Sequence, residues 1–167
     1  MDRYDEKLII AKTPVSSILL FVLAILITVI AAALCILTPP LGALLLAGGI
    51  ALIVFSKDGL STEFEYIITN GDIEIAKVLA KKKRKNLVLI EASSIARMAL
   101  ASDERVANDI NIGKYKVRKY IGKEDSENRV AIYVGEGDNQ DIYLLDLDEK
   151  CISHMNQMIK AKSSKKL

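Results

Sequence analysis

The sequence has little of the chemistry from which active sites are built. It has no tryptophan, one histidine and two cysteines in 167 residues. Cys35 lies inside an apolar run and Cys151 near the C-terminus, so the two cysteines form no CxxC motif. His154 has no second histidine with which to build a zinc site, and the adjacent Ser153 would point to a different side of a helix. We therefore expect no catalytic residue, metal or cofactor, and we predict that the protein is not an enzyme.

Charge is absent from one long stretch of the chain. No Asp, Glu, Lys, Arg or His occurs between Lys12 and Lys57, although both flanks are densely charged. Residues 15–37 form an apolar run of the roughly 20 residues that a transmembrane helix needs. The second run, 41–55, is shorter, but a start at Pro40 would extend it to about 17 residues, the lower limit for spanning. The stretch predicts a two-helix transmembrane hairpin over 15–56, with the full span of its second helix left open.

Positive residues flank the hairpin on one side only. Arg3, Lys7 and Lys12 precede it and Lys57 follows it, whereas the turn at 38–42 carries no charge. Because positively charged flanks stay in the cytoplasm, we expect a multi-pass protein of the cell membrane with both termini cytoplasmic. The segment 1–14 would then be a cytoplasmic N-terminal segment. A cleaved signal peptide is disfavoured because its apolar region has only about 7–15 residues.

Small residues recur at every fourth position in both helices. They are Ala24, Thr28 and Ala32 in the first helix, and Ala43, Ala47 and Ala51 in the second. Such rows let helix backbones approach closely, so they predict a tight hairpin or a seam with a second copy or a membrane-protein partner. The alternative is that alanine and glycine are simply frequent in membrane helices. Since the hairpin has no charged residue, it is predicted to be an anchor rather than a transport path.

The rest of the chain shows mainly strand signals. Apolar residues alternate on both sides of Asn70-Gly71, a pair typical of a type I′ β-hairpin turn. Further strands are predicted at 87–91, 94–100, 115–121, 129–134 and 141–145, which makes about seven antiparallel strands, while 103–113 has no clear period. Ile152, Met155 and Ile159 then mark a C-terminal helix, before which Asp146 and Asp148 are more typical of caps than of a cation site. We predict one β domain over 57–160 and a flexible basic tail over 161–167.

This order of strands and one C-terminal helix resembles pleckstrin-homology-like (PH-like) domains. The stretch Glu65–Ile75, the basic loop after it and Leu87–Ile90 are similar to bacterial PH-like membrane proteins. More narrowly, they resemble a group of two-span proteins from Gram-positive anaerobes that carries a domain of unknown function. The resemblance implies a PH-like fold, a membrane location and interaction with lipid or another membrane protein. It brings no catalytic chemistry with it.

A basic cluster lies between the second and third predicted strands. Its members are Lys77, Lys81, Lys82, Lys83, Arg84 and Lys85. Runs of this kind usually form solvated loops, but a tethered domain could also use them to contact anionic lipid headgroups or a protein partner. Nucleic acid is not expected as a partner, because the domain has nearly equal numbers of acidic and basic residues and no aromatic residue interleaves the cluster.

Two functions of different kinds follow. The first is a membrane-tethered, non-enzymatic interaction module that binds lipid or a protein partner at the cytoplasmic face. The alternative is an accessory or assembly subunit whose hairpin packs inside a larger membrane complex. The basic cluster favours the first function, and the rows of small residues favour the second.

Overall fold

A computed structural model describes residues 4–123, 125–137 and 139–163, with side chains described up to 159. The chain forms two compact units. One unit, here called the hairpin unit, comprises 12–62 and 78–83. The other, the β unit, comprises the N-terminal residues up to Ala11 together with 63–77 and the chain from Arg84 onward.

The hairpin unit contains two apolar helices, α1 (Val15–Leu37) and α2 (Pro39–Ser56), followed by a 3-10 turn at Lys57–Leu60. Thr38 both ends α1 and begins α2, since its N–H donates to Leu34 and its carbonyl accepts from Gly42. Prolines occupy the first positions of α2, where the backbone N–H that proline lacks would have no partner within the helix. The helical candidate spans have a mean hydropathy of 3.2 and 2.0, so both are long and apolar enough to cross a membrane.

The two helices pack along a seam of small residues with a seven-residue spacing. Ala24 and Ala31 are buried in α1, and Gly42, Gly49 and Ser56 are buried in α2. A seven-residue repeat keeps one stripe of each helix facing its neighbour when the helices wind around each other. A Cβ on Gly49 would lie 2.5 Å from Thr28 Oγ1, which shows how closely the backbones approach.

This seam differs from the rows of small residues that the sequence predicts. Ala24 is buried and Thr28 half-buried in it, but Ala32, Ala43, Ala47 and Ala51 are exposed within the hairpin unit. The facing row of α2 consists of glycines and a serine instead of alanines. A strict four-residue spacing drifts around a helix of 3.6 residues per turn, so it does not follow the contact line between two helices.

The first sheet has four strands in the order β1-β2-β3-β4. They are β1 (Tyr4–Ile10), β2 (Thr62–Thr69), β3 (Asp72–Leu79) and β4 (Lys83–Ile90). β1 runs antiparallel to β2, with Tyr4 opposite Thr69 and Ile10 opposite Glu63. The helical hairpin is therefore an insertion between two paired strands, and the segment 1–14 contributes a strand to the β unit instead of standing apart.

The second sheet also has four strands, in the order β5-β7-β8-β6. They are β5 (Ile95–Leu100), β6 (Lys116–Tyr120), β7 (Arg129–Glu136) and β8 (Asn139–Asp146). β6 pairs in parallel with β8, whereas β5–β7 and β7–β8 are antiparallel. The described chain thus has eight strands instead of about seven. Helix α3 (Glu104–Ile112) connects β5 at one edge of this sheet to β6 at the other edge. β6 therefore runs in the same direction as β5 and β8, which makes its pairing with β8 parallel.

The Asn70-Gly71 turn between β2 and β3 is confirmed as a type I′ turn. Both residues have positive φ, at 52° and 93°. Mirror-image turns of this type match the twist of the strands that they join. The turn fixes the register that places Tyr66, Ile68, Ile73 and Ile75 on one buried face.

The helices of the β unit begin at acidic caps. Asp103 Oδ1 accepts from Arg105 N at the start of α3, where the sequence predicts no regular structure because the helix is only nine residues long. The predicted terminal helix is confirmed as α4 (Glu149–Ser163), and Asp148 caps it by accepting from Cys151 N at 2.8 Å. α4 therefore continues into the segment predicted as a tail, of which 164–167 lie outside the described residues.

The apolar residues form two layers around the second sheet. One cluster lies between the sheets and includes Tyr66 and Ile132 of the strands with Met155 of α4. The other joins Val106 of α3 to Tyr133 and neighbouring residues on the opposite face. Because β7 and β8 are covered on both faces, their sequences are apolar without a clean alternation.

Candidate functional site

A lysine-rich turn belongs to the hairpin unit. It joins β3 to β4 through residues 80–82, and Ala80 and Lys81 both have positive φ, at 51° and 56°. Ala80 N donates to the carbonyl of Ser61 at 2.8 Å, just after the 3-10 turn that follows α2. This contact holds the turn against the end of the hairpin unit at which α1 begins and α2 ends.

That end of the hairpin unit carries all the charge of the unit. Five lysines and one aspartate lie in 12–62 and 78–83, which gives a net charge of +4. These residues are Lys12, Lys57, Lys81, Lys82, Lys83 and Asp58. Asp58 Oδ2 lies 3.9 Å from Lys83 Nζ, and all five lysines are exposed. We call these five lysines the basic end.

The rest of the predicted basic cluster lies outside this turn. Lys77 is half-buried on β3, and Lys85 is exposed on β4. Arg84 makes ion pairs across the first sheet, at 2.8 Å to Glu65 and 3.3 Å to Glu74. The six cations are thus not one loop, because the strands extend to Leu79 and resume at Lys83.

A cleft of about 500 Å³ opens in the β unit beside the end of β1. Its lining comes from β1, the loop after β6 and the end of β8: Lys7, Ile9, Ile10, Gly122, Lys123, Asp125, Ser126 and Asp146. The loop is tied to β1 because Lys123 N donates to Ile10 O at 2.9 Å and Ala11 bridges to Gly122. One wall of the cleft is therefore held by backbone contacts.

A buried ion pair forms the base of this cleft. Asp146 is 3% exposed and accepts from Gly122 N and from Arg129 Nε, each at 2.7 Å. Arg129 Nη1 also lies 3.1 Å from Asp125 Oδ1. The Asp146 carboxylate raises the pKa of Arg129 above its ordinary value, against the effect of burial. These contacts satisfy the buried carboxylate of Asp146, whereas the side chain of Asp125 is fully exposed.

The hydroxyl of Tyr66 lies next to this ion pair inside the β unit. It donates to the carbonyl of Tyr120, and Asp146 N lies 3.5 Å from it as a donor. Burial raises the pKa of Tyr66 well above its ordinary value, so the hydroxyl stays protonated. The group therefore serves to link β2 to the second sheet.

A second buried carboxylate, that of Asp5, joins β1 to α4. Asp5 Oδ2 lies 2.7 Å from His154 Nδ1, and Asp5 Oδ1 lies 2.7 Å from Lys150 Nζ. The role of Asp5 was not predicted from the sequence, and His154 was predicted only as an ordinary helix residue. The available signal was the spacing of Cys151, His154 and Met155, which places the histidine on the apolar face of α4.

The thiol of Cys151 is buried in the same region. Burial raises its pKa to about 12, so the group remains a protonated thiol at neutral pH. Within the described ranges, no group of three or more His, Cys, Asp or Glu side chains is arranged to hold a metal ion.

Two packed four-stranded sheets with a C-terminal helix against the core define a PH-like domain. The chain belongs to the bacterial PH-like domain family DUF6106, whose model matches residues 1–165. No curated protein and no solved structure matches the chain. The family membership confirms the resemblance to bacterial PH-like proteins that the sequence shows at Glu65–Ile75 and Leu87–Ile90. An origin in Gram-positive anaerobes stays a prediction.

Proposed function

We propose that the protein is a membrane-tethered, non-enzymatic PH-like module that contacts anionic lipid headgroups at the cytoplasmic face. The length and apolarity of α1 and α2 support a membrane location. The pairing of β1 with β2 supports a hairpin that enters and leaves on one side, because its two connections begin at neighbouring strands of one sheet. Basic residues in both flanks and none in the turn between the helices favour the cytoplasm as that side, and with it two cytoplasmic termini.

One observation carries the choice of partner. The hydrogen bond between Ala80 and Ser61 makes the lysine turn part of the same compact unit as the membrane helices. Lys81 and Lys82 thereby join Lys12 and Lys57 at the charged end of that unit. Each basic residue close to an anionic leaflet contributes about 1 kcal/mol of attraction. Five such residues would orient a domain that the hairpin already tethers.

Lipid retention by the full chain tests this function. The chain in detergent is titrated with phosphatidylglycerol or phosphatidylcholine, and bound lipids are counted by native mass spectrometry. The double variant Lys81→Glu/Lys82→Glu should bind phosphatidylglycerol about tenfold or more weakly, since two attractions become repulsions. Its binding of phosphatidylcholine should not change.

The matched control reverses two exposed lysines of β6, in Lys116→Glu/Lys119→Glu. This variant has the same net charge but leaves the basic end intact, so it should retain phosphatidylglycerol like the unmodified chain. Equal losses in both double variants would show a general effect of net charge and would refute the assignment to the basic end.

The exposed row Ala43, Ala47 and Ala51 favours a second candidate function, an accessory subunit of a membrane complex. Crosslinking in intact cells, followed by purification of a C-terminally tagged chain and mass spectrometry, separates the two functions. A defined membrane protein crosslinked through 15–56 would support the accessory subunit. Capture through 80–85 alone would support the tethered module.

A further inference from the structure

β4 is the outermost strand at one edge of the first sheet. The order β1-β2-β3-β4 gives it a single neighbour, β3, among the described strands. Six of its eight residues are exposed, so the edge is accessible from outside. The backbone N–H and C=O groups on its outer side are therefore available to a further extended chain.

Charged residues protect only the first half of this edge. Proteins commonly place lysine on edge strands, because its charge opposes pairing with another strand. β4 begins with Lys83, Arg84 and Lys85, but 86–90 contains no charged residue. The second half of the edge thus lacks the protection that the first half has.

Two leucines lie on the outer face of that second half. Val88 and Ile90 pack in the core between the sheets, so Leu87 and Leu89 face the other way. Leu87 is 37% exposed and Leu89 is 62% exposed. A groove of about 360 Å³ lies beside them, and its lining is Glu74, Asn86, Leu87, Val88 and Leu89. Exposed apolar residues on an unpaired edge are typical of a surface that another strand covers.

The charges next to this groove determine what an added strand should carry. Lys85 is exposed on the same face as Leu87, because side chains alternate along a strand. It has no carboxylate within 4.0 Å in the described ranges. Neighbouring strands lie about 4.8 Å apart, so Lys85 is the charge nearest to an added strand. Glu74 is one strand farther away and contacts Arg84 at 3.3 Å. An acidic residue therefore fits opposite Lys85.

We propose that β4 pairs with an extended segment of another protein, which adds a fifth strand to the first sheet. An acidic side chain of that segment lies opposite Lys85, and an apolar side chain two positions away packs on Leu87 and Leu89. Backbone hydrogen bonds supply affinity, and the two side-chain contacts supply specificity. A second copy of β4 does not meet this requirement, because 83–90 contains no acidic residue. The interaction goes beyond the lipid contact of the basic end, to which Lys85 does not belong.

Photo-crosslinking of short peptides to the full chain in detergent tests the proposal. The probe is Thr-Val-Thr-Val-Thr-Glu-Thr, made in this order and in reverse, with photo-leucine in place of the central valine. Its glutamate and apolar side chains lie on one face of an extended chain. Below saturation the crosslinking yield is proportional to affinity, and mass spectrometry locates the labelled residue. We expect at least one of the two orders to label β4.

A charge exchange tests the contact with Lys85. A probe with lysine in place of glutamate should label β4 with a yield about fivefold lower, because an attraction across the strands becomes a repulsion. In the variant Lys85→Glu the lysine probe should instead give the higher yield. The matched control Lys119→Glu changes an exposed lysine of β6, another edge strand, and should keep the preference for glutamate.

Two further comparisons test strand pairing and the apolar groove. N-methylation at one of two adjacent probe residues, but not at the other, should lower the yield about fivefold, because only every second N–H points towards β4. Leu89→Thr should lower the yield about threefold, since a buried contact is lost. Leu8→Thr changes an exposed leucine of β1, at the opposite edge of the sheet, and should not change the yield on β4.

Three results would overturn the proposal. They are equal yields for the glutamate and lysine probes, labelling spread over the other exposed strands, and a yield that N-methylation leaves unchanged at both positions. A dimer of the full chain that excludes the probe from β4 would also refute it and would identify a second copy as the occupant. No anionic lipid is present in this measurement, so none of these results bears on the lipid contact of the basic end.

Discussion

The carboxylate of Asp5 lies 2.7 Å from Nδ1 of His154, and the two side chains are 4% and 0% exposed. Asp5 is on β1, ten residues before the membrane-type helix α1, and His154 is on the C-terminal helix α4. Lys150 holds the pKa of Asp5 below its ordinary range, with His154 acting in the same direction against burial. Asp5 is therefore ionised at neutral pH, and Nδ1 of His154 donates the hydrogen bond.

Replacing Asp5 with asparagine should destabilise the full chain by about 1–3 kcal/mol, because a buried charged acceptor is replaced by a neutral one. Urea unfolding in detergent micelles, followed by circular dichroism, measures the loss. Glu6→Gln is the control on the same strand, since Glu6 is exposed and, among the described residues, accepts a hydrogen bond only from the hydroxyl of Tyr4. A similar loss in both variants would argue against a special role for Asp5.

The contribution of Asp5 should also depend on pH. Its pKa is lower in the folded protein than in the unfolded chain, where it is about 3.9. The stabilisation is therefore complete above about pH 4 and is lost as the pH falls through the folded pKa. The difference in unfolding free energy between the unmodified chain and Asp5→Asn should shrink below about pH 4. A difference that stays constant down to pH values well below about 3 would contradict this.

Two aspartates of β8 should differ strongly in their effect on stability. Asp146→Asn breaks a buried ion pair with Arg129 and should cost about 3 kcal/mol or more. Asp141→Asn breaks the pair with Arg118, in which both side chains are partly exposed, and should cost at most about 1 kcal/mol. Urea unfolding of the two full-length variants provides the comparison. Equal costs would mean that burial does not strengthen the Asp146 pair.

Leucine substitutions should distinguish the seam of the hairpin from its outer face. Gly49→Leu should destabilise α1–α2 packing by about 1–3 kcal/mol, since even a Cβ would meet Thr28 at 2.5 Å. Ala47→Leu adds its side chain to an exposed face and should leave the hairpin intact. Thermal unfolding in micelles measures the stability of both variants. Loss of a copurifying membrane protein in Ala47→Leu would favour the accessory-subunit function instead.

Alanine substitutions at two glycines with positive φ should distinguish two causes of lost stability, a steric clash of the new Cβ and an unfavourable backbone conformation. Gly71→Ala and Gly137→Ala both place a side chain at positive φ, at a cost of about 1–2 kcal/mol. Only at Gly71 would the new Cβ also approach Met158 Cβ at 2.9 Å and Ala92 Cβ at 3.1 Å. We expect Gly71→Ala to be the more destabilising by at least about 1 kcal/mol in urea unfolding. Equal losses would place the cost in the backbone alone.

Local patterns predicted the elements whose signals lie within a few residues. The apolar runs predicted α1 and α2, Asn70-Gly71 predicted its turn, and the spacing of Ile152, Met155 and Ile159 predicted α4. Helix α3 was missed because nine residues give too little periodicity. β1 was missed because Leu8, Ile9 and Ile10 lead into a much longer apolar region, so the alternation of a short strand is hidden.

The candidate sites were predictable only in part. The lysines of the basic end could be read from the sequence, but their grouping with Lys12 and Lys57 depends on the contact between Ala80 and Ser61. The cleft could not be read at all, since Lys7 and Lys123 are 116 positions apart and meet only through the pairing of β1 with the loop after β6.

The sequence by itself determined which segments are long and apolar enough to cross a membrane and which turn could join two strands, because hydropathy and the φ preferences of Asn-Gly act within one segment. Only the tertiary structure decided that β1 pairs across the helical insertion, that the seam of the hairpin uses Gly42 and Gly49, and that Asp5 meets His154. Each of these depends on contacts between residues far apart in the chain. Such contacts are selected by the packing of the whole fold, which a local period does not encode.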